Sequence, residues 1–205
     1  MDCYFFGRFL ELLMPTVHAG SPITWTDALC PAHAAGSGAA APSYTTDFIA
    51  EVGSEDNELR IPVFGAGDRI YTSLQLPHDL YIPASGNVVL RPHVHWTFIA
   101  EPTDSRTVIW ELRYVYAKIA ATFASSETTL TATTYTTTGD AEVRKHFVTS
   151  LGDITVAAAD MSPSMIFICN LGLKDTSTVD AARVGLLSFD FHYQTGPRGT
   201  DSEFS

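Results

Sequence analysis

A chain of 205 residues is long enough to enclose one sizeable core, and a hydrophobic content of 45% supplies the side chains for it. Twelve Lys and Arg against 23 Asp and Glu leave a formal net charge of −11, and Arg8 is the only cation before Arg60, which argues against binding a phosphate backbone. No apolar run reaches the roughly 18 to 20 residues that cross a bilayer, so neither a nucleic acid nor a membrane is an expected partner.

The opening stretch MDCYFFGRFLELLMPTVHAG ends in small residues, as a secretion signal does. Arg8 and Glu11 break its apolar run and Asp2 stands where such a signal has a basic start, so it is not expected to direct secretion. Phe5 to Met14 has the pattern of a short amphipathic helix that Pro15 ends. HAAGSGAAAPS has the composition of a flexible linker, and a disordered leader is one reading of the region. Ile23, Trp25, Leu29, Tyr44 and Phe48 are spaced anchors that such a leader would lack, which suggests an arm lying across its own domain or a neighbour. Residues 1–56 are therefore read as an extended N-terminal arm and 57–205 as a folded domain. Cys3, Cys30 and Cys169 are odd in number and widely spaced, which fits neither a disulfide framework nor a CxxC zinc site.

Within the domain, ELRIPVF and RIYTSLQLP read as strands joined at Gly65-Ala66-Gly67-Asp68, and PHDLYIPASGN as a loop. Val88 to Ala117 then holds two long alternating runs around Pro-Thr-Asp-Ser, the local pattern of a hairpin. Val94, Trp96 and Phe98 alternate with His93, His95 and Thr97, and Val108, Trp110, Leu112, Tyr114 and Tyr116 alternate with Ile109, Glu111, Arg113 and Val115. Successive side chains on a strand point to opposite faces, so each run has one apolar and one polar face. The Thr-rich run ASSETTLTATTYTTTGDAE reads as an exposed or edge strand ending at Gly139-Asp140. KHFVTSLGDITV supplies one or two short strands, MIFICNLG a strand apolar on both faces, and DTSTVDAA a loop. In Arg183 to Gln194, Leu187, Phe189, Phe191 and Tyr193 share one side and Ser188, Asp190 and His192 the other. The three long runs are expected at the centre of one sheet. The tail GPRGTDSEFS carries no packing pattern. Some eight short strands without a convincing long helix predict an all-β protein, an antiparallel, jelly-roll-like β-sandwich.

RPHVHW, then WELRYVYAKI, a Thr-rich strand, KHF and finally LLSFDFHYQTGPRG resemble, in that order, a family of tailed-bacteriophage virion structural proteins. The resemblance spans Leu76 to Gly199 and leaves the arm outside. It implies a β-sandwich body and a place in the virion, either as a capsid decoration (cement) protein on the outer surface or as a tail or fibre component mediating assembly or host attachment. The partners it implies are the major capsid protein or other virion proteins, together with further copies of this chain as a homo-oligomer, a trimer being favoured.

An alternative is a metalloenzyme. His93 and His95 lie two apart on a strand and face the same way, and Glu101 shares their parity, which resembles the cupin pattern of Gly, His-x-His and Glu. The spacings depart from it: six residues separate Gly86 from His93 and five separate His95 from Glu101, more than the cupin pattern has. A third ligand from His146 or His192 would need the fold to bring it close. The simpler expectation is a hydrogen-bonded polar network of His93, His95, Glu111, Arg113, Asp190 and His192 across adjacent strands, with no metal and no cofactor. Trp96, Trp110, Tyr114, Tyr116, Phe189, Phe191 and Tyr193 alternate too strictly for a sugar-stacking platform and are expected in the core or at a subunit interface. There is no nucleophile elbow, phosphate loop or HExxH motif, and the chain is not expected to be an enzyme.

Overall fold

The computed structural model describes residues 24–30, 36–37, 42–44, 61–100, 105–137, 143–179 and 184–196. The strands in chain order are β1 (Thr24–Cys30), β2 (Gly36–Ser37), β3 (Ser43–Tyr44), β4 (Pro62–Phe64), β5 (Arg69–Gln75), β6 (Asn87–Phe98) and β7 (Thr107–Val108). They continue with β8 (Trp110–Ala117), β9 (Thr128–Thr131), β10 (Tyr135–Thr136), β11 (Phe147–Ser150), β12 (Ile154–Ala157), β13 (Ile166–Leu173) and β14 (Val184–Thr195). All pairings between them are antiparallel.

Two sheets face one another as a β-sandwich. The seven-stranded sheet runs β11-β6-β14-β4-β3, with β1 also on β14 and β12 also on β6. The five-stranded sheet runs β2-β5-β13-β8-β9, and β7 and β10 form a separate pair. Alternation decides which residues enter the space between the sheets. Ile70, Thr72 and Leu74 of β5 are buried while Tyr71, Ser73 and Gln75 are exposed. Aromatic rings meet across that space: Phe167 of β13 and Phe191 of β14 have centroids 6.0 Å apart, and Phe64 of β4 meets Trp110 of β8 edge-on at 5.3 Å. Trp96, Trp110, Phe64, Phe98, Phe167, Phe189 and Phe191 are all fully buried, so the expected aromatic core is present.

The connectivity departs from the expected hairpin. β6 pairs with β14, β11 and β12, whereas β8 pairs with β13 and β9, so the two long runs lie in different sheets. The physical reason is the shape of a sandwich core. Both runs have one strongly apolar face, and placing them in opposite sheets turns those faces toward each other. The Gly65–Asp68 turn is present, with Asp68 N–H donating to Gly65 O at 3.2 Å, and it too carries the chain from one sheet to the other. Gly67 sits there at φ +83°, and a Cβ on it would lie 2.7 Å from Asp175 Oδ1.

Three further expectations change in detail. The register of β14 against β6 shifts between Leu186 and Ser188, so Leu186 is buried and Leu187 is the extra, half-buried residue. β13 is expected to be buried on both faces, yet Ile166 and Ile168 point outward and are exposed, while Asn170 and Gly172 further along that face are buried. The region read as an arm contributes strands: β1 pairs along β14 from Thr24↔Thr195 to Cys30↔Phe189, β2 pairs with β5 and β3 with β4. Ala28 and Cys30 are buried in the core, so these segments of 1–56 are built into the sandwich across the expected boundary at residue 57. Phe5–Met14 and the C-terminal tail from Pro197 lie outside the described residues. β9 is an edge strand, as the Thr-rich composition predicts, and KHFVTSLGDITV yields two short strands, β11 and β12, both along one edge of β6.

Candidate functional site

The polar residues of β6 and β14 meet on the outer face of the seven-stranded sheet. Register places Asp190 opposite His93 and Ser188 opposite His95, while β1 brings Asp27 opposite His192 and Leu29 opposite Asp190. On the other side of β6, His146 precedes β11 and reaches His95. Four imidazoles and two carboxylates from β1, β6, β14 and the approach to β11 thus form one cluster.

His95 is its best-satisfied member. Its Nε2 donates to Asp190 Oδ2 at 3.0 Å, so a neutral ring accepts at Nδ1 from His146 Nε2, 2.7 Å away. The two rings stack with centroids 5.0 Å apart. His192 Nε2 donates to Asp27 Oδ1 at 2.5 Å, and its ring lies 4.2 Å from that of His93. Two polar atoms are left over. His93 Nδ1 and Asp190 Oδ1 are buried without a hydrogen bond of good geometry, and His192 Nε2 stands 3.9 Å from the latter. Burial pushes the Asp190 carboxyl above its usual range; His95 pulls it down, Asp27 adds to the rise, and burial prevails. Burial and the neighbouring His192 hold His93 below the usual histidine range, against the pull of Asp190 and the Arg91 backbone.

The expected six-residue network therefore divides. His93, His95, Asp190 and His192 come together, but Glu111 and Arg113 lie on β8 in the other sheet. There Glu111 accepts from Arg69 and, at 2.9 Å, from Arg113 Nε, while Arg69 Nη1 donates to Asn170 Oδ1 at 3.4 Å. Burial works to raise the Glu111 carboxyl, yet the hydrogen bonds and charges of the two arginines bring it below its usual range. Asp27 and Arg69 were absent from the sequence-based set. Alternation marks both as facing away from the core, but their partners lie on strands distant in sequence.

Of the cupin-like set, His95 is turned to Asp190 and His146, and His93 lies beside His192 on the outer face of the sheet. Glu101 lies outside the described residues. Of the arm anchors, Trp25 and Leu29 are 41% and 69% exposed on the outer face of β1, with Trp25 stacked under the Arg91 guanidinium at 4.4 Å. Tyr44 lies in β3, and Ile23 and Phe48 fall outside the described residues. Cys30 and Cys169 are buried thiols; burial pushes Cys169 up to about 12 and Cys30 higher still, which leaves both unreactive. A shallow cleft between Tyr114, Tyr116, Thr122 and Thr128 brings together no acid, base or cation. The chain matches no protein-family model and no curated protein.

Proposed function

We propose that this protein is a structural component of a tailed-phage particle, a capsid decoration or cement protein on the outer surface of the head. The particle follows from the resemblance, whose three motifs fall on β6, β8 and β14. The role is supported by one structural observation, the outer face of the five-stranded sheet. Tyr71, Ile166 and Ile168 are 43%, 39% and 43% exposed there, beside the half-buried Val115 that pairs with Ile168. Adjacent outward isoleucines on a central strand make an apolar patch of the kind that subunit contacts cover. Its neighbours along the same face are the Arg69–Glu111–Arg113 charges, which give such a contact a polar rim.

In this reading copies of the chain associate through the patch, as a trimer, and the assembly seats on the major capsid protein. The acidic surface suits the outside of a shell, away from packaged DNA. Cryo-electron microscopy of intact particles tests it directly: density for the sandwich on the outer head surface is the expected result. Density in the tail would replace decoration by a tail or fibre role, and absence from purified particles would overturn both.

A further inference from the structure

We propose that His93, Asp190 and His192 bind a divalent first-row transition ion of the zinc class, with Asp27 as the adjacent fourth donor. The inference is independent of any place in a particle. One ligand atom from each of His93, Asp190 and His192 lies within 4.8 Å of the others. A tetrahedral ion with bonds of about 2.0–2.1 Å wants its ligands about 3.3 Å apart, so side-chain turns of about an ångström close the site. His192 Nε2 and Asp190 Oδ1, at 3.9 Å, are too far apart for a hydrogen bond but already near the separation of two ligands on one ion.

What distinguishes this cluster from ordinary cross-strand pairing is the pair of leftover atoms. The Asp190 side chain is 4% exposed, and of its two oxygens only Oδ2 has a partner. Its Oδ1 and His93 Nδ1 are both buried without a hydrogen-bond partner. A buried polar atom without a partner carries a desolvation cost, and two within one cluster are relieved together by a single cation. Two imidazole nitrogens with one or two carboxylate oxygens form a donor set that suits zinc and its neighbours better than calcium or magnesium.

The surroundings also hold the donors in place. His95 fixes Asp190 through Oδ2 and leaves Oδ1 free, and His146 fixes His95 in turn, an outer-shell chain of the kind that orients ligands. On binding, the Nε2 proton of His192 shifts to Nδ1 or leaves for solvent. Asp27, now bonded to that nitrogen, moves onto the ion. Because Asp27 belongs to β1, the ion would clip the first strand onto β14 and β6.

The test uses the full chain, stripped with a chelator and titrated with Zn²⁺ by calorimetry and with Co²⁺ by its visible spectrum. One ion per chain is expected, with a raised Tm. His93→Gln, His192→Gln and Asp190→Asn should each lower Zn²⁺ affinity at least tenfold, and Asp27→Asn by less. Circular dichroism checks that each variant is folded; the half-buried histidines carry the test if Asp190→Asn is not. His78→Gln, whose imidazole bonds Ser164 and no member of the cluster, should retain stoichiometric binding. A wild-type chain that takes up no Zn²⁺ at micromolar concentration overturns the proposal. So does binding unchanged in folded His93→Gln and His192→Gln, which would place the ion elsewhere among the seven histidines.

Discussion

The outer faces of the two sheets both carry charged and titratable side chains and settle them in opposite ways. On the five-stranded sheet, two guanidiniums converge on the single carboxylate of Glu111, and Asn170 takes up a remaining Arg69 donor. None of these groups is left with a buried polar atom lacking a partner, and Tyr71, Ile166 and Ile168 lie beside them. On the seven-stranded sheet four imidazoles share two carboxylates, and two buried polar atoms, His93 Nδ1 and Asp190 Oδ1, stay without a hydrogen bond. A closed network of the first kind stabilises a sheet; an open one of the second kind asks for a ligand.

The largest way to break that comparison is to remove residues 1–56. The seven-stranded sheet draws β1 and β3 from this region, the five-stranded one only the two residues of β2. A chain beginning at Asn57 would uncover one edge of β14 over seven residues and lose the burial of Ala28 and Cys30. It is expected to lose its cooperative unfolding transition in circular dichroism. A soluble chain with near-native Tm would show that β1 is dispensable and that the boundary near residue 57 is a true one.

Next come the residues that both faces depend on. Phe189→Ala and Trp110→Ala each truncate a fully buried aromatic, one per sheet, and should cost about 3–5 kcal/mol in denaturant unfolding. A loss below 1 kcal/mol in either would contradict the orientation of its strand.

The two carboxylates then separate the faces. Glu111→Ala strands two arginines, one of them largely buried, and should cost about 2–3 kcal/mol, less than a fully buried pair because Arg113 is partly solvated. Because the folded state holds Glu111 below its usual range, its contribution is present above the ordinary carboxylate pKa and is lost as pH falls through the lower folded value. Glu111→Gln should therefore flatten the acid limb of the stability–pH curve. Asp190→Asn keeps an acceptor for His95 and removes a carboxylate with an unpartnered oxygen, so in the metal-free chain it should cost less than about 1 kcal/mol. Equal costs at the two sites would erase the distinction drawn between the faces.

The smallest effect on stability is expected at the apolar patch. Ile168→Lys should change unfolding by no more than about 0.5 kcal/mol while weakening self-association in sedimentation equilibrium. Unchanged association would remove the patch as the subunit contact.

The sequence alone determined the all-β class and most of the inward set of β6, β8 and β14. Period-two alternation is a local property, and it marks Val94, Trp96, Phe98, Trp110, Leu112, Phe189 and Phe191 as inward without reference to any partner. It also exposed the polar residues of β6 and β14 as one-sided. Only the tertiary structure decided which strands lie side by side, because hydrogen-bonded neighbours here are far apart in the chain: β6 with β14, β5 with β13, β1 with β14. A hairpin and a crossing between sheets leave the same alternation in Val88–Ala117, and the one-residue shift at Leu187 is invisible to it. The candidate site depends on those pairings. His93 and His192 became neighbours through β6 and β14, Asp27 joined through β1, and Glu111 with Arg113 was carried to the opposite sheet, because side-chain direction is set by the residue's own backbone and proximity by the fold.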